Sequence, residues 1–368
     1  MTGAMPRISD LLPALRRCDR LQLEERDVLV HAPGFEDRTM AVAETVECTA
    51  KASAILLDYL PENAANRLAD VRDALTARGV TITDADILQY HRFEPGDFES
   101  RLLARLREHG AYRVIVDTST MSKLEIMLVL NVCNTLNVNV RVLYCEADAY
   151  GPSLQEFEEA KRQNKIHQPT LQIFTGVHGV VRVDSLASVA MQGQPTAAIV
   201  FMSFNDALTQ ALLNTVYPSR LFLINGRPPV HRWREEATAW IHDQVRREWE
   251  DDNPLEPSSQ DGPALPKRVA STLDYRETVA LLLDLYWQLS VNHRILLAPA
   301  GSKLQSVGCY LVKALHPDIH IEYPSPEGFL LPYSTGVGSQ WLLDLGQLPA
   351  RIADISSAER REFLELAT

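Results

Sequence analysis

Two serine–lysine steps in this chain have the composition of anion-binding turns. Ser122-Lys123 closes the stretch Asp117-Thr118-Ser119-Thr120-Met121-Ser122-Lys123, and Ser302-Lys303 closes Ala298-Pro299-Ala300-Gly301-Ser302-Lys303. With Glu125 and Gln305 three residues further on, each serine fits the capping box that starts a helix. A lysine at the first helical position opposes the helix dipole by about 0.3–1 kcal/mol. Its occurrence twice points to a compensating anion, because unpaired N–H groups beside an ammonium suit phosphate. The plainer alternative is a lysine turned into solvent. Gly301 would let the backbone approach an anion closely, and Gln305 is neutral, whereas Glu125 would repel phosphate. The second turn is therefore expected to dominate anion binding.

A second group is acidic. In Gly34-Phe35-Glu36-Asp37-Arg38, Glu36 and Asp37 are expected to converge with Asp117. Three carboxylates there could hold magnesium or serve as acid and base. Equally, Asp37 could cap the next helix while Glu36 stays solvated. Arg38 either clamps a phosphate in bidentate fashion or pairs with a neighbouring acid. Phe204 and Asn205 of Ser203-Phe204-Asn205-Asp206 occupy the matching loop of the second half. With Gly34, Thr118, Ser119 and Tyr333 they complete the candidate ligand contacts. Thr175-Gly176-Val177 and Thr335-Gly336-Val337 read as turns into a final strand.

These residues recur because the elements around them recur. VLVHAPGFEDRTMAVAETV at 28–46 and AAIVFMSFNDALTQALLNT at 197–215 both run strand, turn, helix, at an offset of 169 residues. RVIVDTSTMSKLE at 113–125 matches RILLAPAGSKLQ at 294–305 with one gap. VNVRVLYCE (138–146) matches DIHIEYPSP (318–326), and TGVHGVVRVDSL (175–186) matches TGVGSQWLLDLG (335–346). Four landmarks in one order indicate an internal repeat.

Each copy alternates strands and helices, which predicts a parallel sheet covered on both faces. Near-continuously apolar strands such as RILLAP fit that burial. With strand order 3-2-1-4-5, the loops after strands one and four meet in the crevice where ligands bind. Those loops hold every residue named above apart from Glu125, Gln305, Tyr333 and the Thr-Gly-Val turns. The expected domains are a helical segment at 1–23, copy one at 24–190, copy two at 191–350, and a C-terminal helix at 351–368. The third strand of copy one is expected within 80–93. Copy two is expected to carry a long helix at 231–250, an acidic, proline-rich flexible loop at 251–267 and a short strand at RVAST. LEIMLVLNVCNTL (124–136) reads as a fully buried helix.

Composition narrows the function. The 368 residues are 46% hydrophobic and 23% charged, with a net charge of −12. That balance disfavours bulk duplex DNA binding. No apolar run approaches the ~20 residues of a membrane span, and the N-terminus lacks a signal peptide's apolar region. Five scattered cysteines argue against a disulfide framework and a structural zinc site, and a reducing cytoplasm is expected. No phosphate-binding P-loop, zinc motif, nucleophile elbow or dinucleotide fingerprint is present. His31, on a strand, reads as a satisfied core residue.

The order of elements, with GFEDR at 34–38 and the AGSK (300–303) and MSK (121–123) turns, resembles the CARF domains and the related fused-pair SAVED domains. These are Rossmann-like sensors of cyclic oligonucleotides in prokaryotic antiviral defence. The resemblance implies two fused CARF-like units over about residues 24–350, a nucleotide ligand and a protein partner that supplies an effector activity. The chain departs from the family in showing no appended nuclease or DNA-binding domain. The leading expectation is a nucleotide sensor without catalysis of its own. The alternatives are a magnesium-dependent, ring-nuclease-like phosphodiesterase using Glu36, Asp37 and Asp117, and an inert subunit of a defence complex docked through 251–267 and 351–368.

Overall fold

In the computed structural model the chain is an α/β protein whose main sheets are largely parallel and flanked by helices. The structure describes residues 7–49, 51–249, 255–256, 265–266, 268–330 and 333–366. Two units divide the chain: residues 1–148 with 335–368, and residues 149–334. No helix among the described residues is long and apolar enough to cross a membrane.

The first unit is built on strands Ile87–His91, Ser53–Leu60, Asp27–His31, Arg113–Asp117 and Asn139–Cys145, side by side in that order and all parallel. In chain order this is 3-2-1-4-5, a doubly wound Rossmann-like sheet. Val28, Leu29, Val30 and Val114, Ile115, Val116 are buried on both faces, as helices on each side require. A sixth strand, Gln340–Gln347, pairs antiparallel with Asn139–Cys145, and Arg16–Arg17 pairs with it in turn. The helix Lys123–Leu136 follows strand four. Ser122 caps it, Leu124 through Leu130 are buried, and Asn137 closes it in the left-handed conformation at φ 56°.

The second unit repeats the strand order. Val269–Ser271, Arg220–Arg227, Thr196–Phe201, Arg294–Pro299 and His320–Ile321 form a parallel sheet. Tyr323–Pro326 continues the fifth strand and pairs antiparallel with Val177–Val181. The helix Lys303–Leu315 is capped by Ser302 and Gln305, the same device that starts Lys123–Leu136.

Several expectations change. The boundaries at 24–190 and 191–350 do not coincide with the units. Residues 149–190 belong with the second unit and 335–350 with the first. An antiparallel edge strand needs only an open row of N–H and C=O groups, so it need not come from adjacent sequence. Among the described residues of the segment 1–23 the one helix is the short Ile8–Leu11, and Leu12, before Pro13, is already extended. Arg16–Arg17 and Gln22–Leu23 are strands.

The helix expected at 231–250 is two, Trp233–Ile241 and Asp243–Glu248. They break at His242, which directs both its backbone N–H and Nδ1 at the Thr238 carbonyl. Of the loop 251–267 only Leu255–Glu256 and Leu265–Pro266 are described, as a short antiparallel pair; the rest lies outside the described residues. The C-terminal helix begins at Leu348 and packs into the first unit: Ile355 and Ala358 are buried, and Arg351 donates to the Leu11 and Leu345 carbonyls.

Candidate functional site

Strands one and four of the first unit end side by side at His31 and Asp117, which are register partners. His31 Nδ1 lies 2.9 Å from Asp117 Oδ2, and both side chains are buried. Burial alone would raise the Asp117 pKa. The His31 charge and hydrogen bond, with the Ser119 hydroxyl and N–H, outweigh it and hold the carboxyl below its usual value. On its other side His31 Nε2 is 3.3 Å from Thr39 Oγ1. That oxygen also accepts from Gly34 N–H at 3.0 Å and lies 3.4 Å from Thr120 Oγ1. These buried contacts from Asp117 through His31 to Thr39 run from the end of strand four to the loop after strand one. A β-carbon on Gly34 would sit 3.1 Å from the Thr120 β-carbon, so that glycine serves the close approach of the two loops.

The three carboxylates of the expected acidic crevice are engaged separately. Asp117 is held by His31 and Ser119. Asp37 is exposed and accepts from Gly336 N–H at 2.8 Å. Glu36 Oε2 accepts from Arg38 Nε at 2.9 Å and Nη2 at 2.6 Å, a buried pair. Among the described residues no three histidine, cysteine, aspartate or glutamate side chains gather to hold a metal ion.

Thr118 Oγ1 donates to the Leu143 carbonyl at 2.9 Å, and Ser119 Oγ accepts from Cys145 N–H at 2.9 Å. Both therefore secure strand five. Glu125 does not face outward as a repelling charge. It is buried, and its Oε2 accepts from Ser122 N–H at 3.1 Å and from the Tyr59 hydroxyl. Burial and the adjacent Glu125 carboxylate push the Tyr59 hydroxyl well above the usual phenol range, so it stays a donor.

Lys123 differs from these neighbours. It is half-buried and makes no hydrogen bond or ion pair with any described residue. Burial pulls its amine down to about 8; the Glu36 charge favours the ammonium and the Arg38 charge opposes it. A cation is held at the switch point of the sheet without a contact partner of its own.

In the second unit the predicted residues occupy the matching loops, with most polar atoms engaged internally. Asn205 Oδ1 accepts from Ile173 N–H at 3.1 Å and its Nδ2 donates to the Leu171 carbonyl at 2.9 Å. The Arg234 guanidinium stands 4.4 Å from the Phe204 ring centroid. That guanidinium donates to the carbonyls of Tyr150, Gly151 and Pro152, and burial lowers its pKa to about 10.

Gln305 Oε1 accepts from Ser302 N–H at 2.8 Å, and its Nε2 donates to the Ala270 carbonyl at 3.2 Å. Ser302 Oγ donates to the Thr272 carbonyl at 2.7 Å. A β-carbon on Gly301 would collide with Gln305 Oε1, so Gly301 makes room for the capping side chain. Lys303 opens its helix half-buried. Tyr333 stacks on Phe329 with centroids 5.1 Å apart.

Sequence reasoning missed the His31–Asp117 pairing, Thr39 and Tyr59. The available signal was that His31 and Asp117 each end an apolar strand of neighbouring rank in the sheet.

No family model and no curated protein matches this chain. Among solved structures, a universal stress protein from Archaeoglobus fulgidus is 10% identical with a TM-score of 0.22, over 82% of this chain and 97% of that one. CobK precorrin-6A reductase is 10% identical with a TM-score of 0.21, over 82% of this chain and 89% of that one. Likenesses at these scores carry no argument about activity, and the fold rests on the strand order above.

Proposed function

We propose that this protein binds a phosphate-bearing nucleotide at the ends of strands one and four of its first unit. The observation that carries the reading is Lys123: a half-buried ammonium at a helix start, with no contact partner among the described residues. Keeping a cation partly out of water with no contact partner costs stability, and a ligand anion supplies that partner. The Ser122 cap and the Thr39–Thr120 contact hold the two loops around that position.

The finer reading is that the two units are divergent copies of a CARF-like fold, with Lys303 as the counterpart of Lys123. The shared 3-2-1-4-5 order and the paired capping boxes support it. On that reading the ligand is a cyclic oligonucleotide and the protein is a sensor in antiviral defence that signals to a partner. The phosphodiesterase alternative draws less support, since Glu36, Asp37 and Asp117 each have an internal partner. Docking through the C-terminal helix alone also draws less support, since that helix buries Ile355 and Ala358 within its own unit.

Isothermal titration of the full chain with cyclic and linear nucleotides tests the proposal. Binding that weakens on Lys123→Met supports it. Absence of binding by every nucleotide, or binding indifferent to Lys123→Met, refutes it.

A further inference from the structure

We propose that Glu36 is a built-in counter-ion that occupies the ligand edge of Arg38 and is displaced when a phosphate or pyrophosphate group binds. The inference rests on the phosphate-binding reading above and adds a regulatory contact to that site.

Arg38 is held in a fixed plane. Its Nη1 donates to the Cys145 carbonyl at 3.2 Å, at the end of strand five. Its other edge, Nε with Nη2, converges on one oxygen of Glu36, at 2.9 Å and 2.6 Å. That edge of a guanidinium is shaped to receive two oxygens in parallel, as phosphate presents them. Glu36 offers both donors the same oxygen, so the edge is neutralised but not matched in geometry.

A second cation stands close by. Lys123 is near enough for its charge to interact with both Glu36 and Arg38. An arriving anion would set two oxygens against that edge of Arg38 in place of the single Glu36 oxygen, and would stand beside Lys123.

The backbone permits the exchange. Glu36 precedes the short helix Asp37–Met40 in extended conformation, at φ −74° and ψ 146°, and its side chain makes no capping hydrogen bond. Swinging it away does not uncap that helix. Thr39 stays pinned by the Gly34 N–H, so the loop keeps its shape while the carboxylate leaves.

Pyrophosphate is the probe, titrated calorimetrically into the full chain. Glu36→Gln removes the competing charge. Glu36→Asp shortens the side chain by one methylene and draws the carboxylate back from Arg38, and it carries the test if the glutamine variant does not fold. Both variants should bind pyrophosphate about ten- to a hundredfold more tightly than the unaltered protein, the range for a charge-assisted contact. Adding Arg38→Lys should cancel the gain, because lysine has no two-donor edge.

Folded variants at Glu36 that bind no more tightly, while Lys123→Met still weakens binding, would overturn the counter-ion role and leave the phosphate site standing. No binding of pyrophosphate by the unaltered protein or by any folded Glu36 variant would remove both.

Discussion

Replacing Lys123 by methionine should stabilise the protein at neutral pH. The amine titrates at about 8 in the fold against an ordinary 10.5. At about 1.4 kcal/mol per pH unit, that gap sets a ceiling of about 3 kcal/mol on the penalty for keeping the ammonium charged. Because the side chain is only half-buried, solvent screening reduces the expected effect to about 1–2 kcal/mol. Below pH 8 both folded and unfolded chains carry the charge, and the whole penalty is present. Between pH 8 and 10.5 the unfolded chain retains a proton that the folded one has released, so stability rises with pH across that window. Urea denaturation followed by circular dichroism at pH 7 and pH 10 reads both consequences. Lys123→Met should show a higher midpoint at pH 7, and its lead should shrink at pH 10. A variant of equal or lower stability at pH 7, with the gap unchanged at pH 10, would refute the claim that this lysine is held at a cost.

Three further outcomes follow from the same geometry. Asp117→Asn removes the buried carboxylate that His31 and Ser119 contact and should cost about 1–3 kcal/mol at pH 7; because the carboxyl is held below its ordinary 3.8, the deficit should narrow as pH falls through that lower value, which denaturation at pH 7 and pH 3 would check. Gly301→Ala should cost about 1–3 kcal/mol by forcing Gln305 out of its cap, and a double-mutant cycle should show a smaller cost in a Gln305→Ala background. A chain that joins residue 148 to residue 335 by a short turn should unfold cooperatively, whereas the contiguous fragment 1–190 should not, since it lacks the strand Gln340–Gln347 that pairs along all of Asn139–Cys145.

Local signals in the sequence proved readable. Ser122 with Glu125 and Ser302 with Gln305 are three residues apart, and both form the capping boxes their spacing announces. RVIVD and RILLAP are buried strands because unbroken apolar runs of that length fit a sheet covered on both faces. The short strand at 269–271 lay where RVAST placed it.

Choices between chemically equivalent partners were not readable. Arg38 could pair with a phosphate or with Glu36 two residues away, and the Glu36 pairing is visible only in the fold. His31 and Asp117 lie far apart in sequence and meet through strand register, which no local pattern encodes. The residue type of Gly301 suited an anion turn, yet its space is taken by Gln305, a contact set by the capping rotamer. The final strands 177–181 and 340–347 match in sequence, yet each pairs away from its sequence neighbours, because an open sheet edge accepts any suitable strand.

The most direct test of the account follows the Lys123 amine itself. Heteronuclear NMR of the full chain, with the Lys123 side-chain signal assigned through Lys123→Arg, gives its titration with and without a saturating nucleotide identified by calorimetry. The account predicts an amine that titrates near pH 8 in the free protein and moves upward by a pH unit or more, roughly the worth of one charge-assisted contact, once the nucleotide is bound. An amine that titrates at the same pH with nucleotide bound as without it would contradict the account, because the bound phosphate would then lie somewhere other than at Lys123.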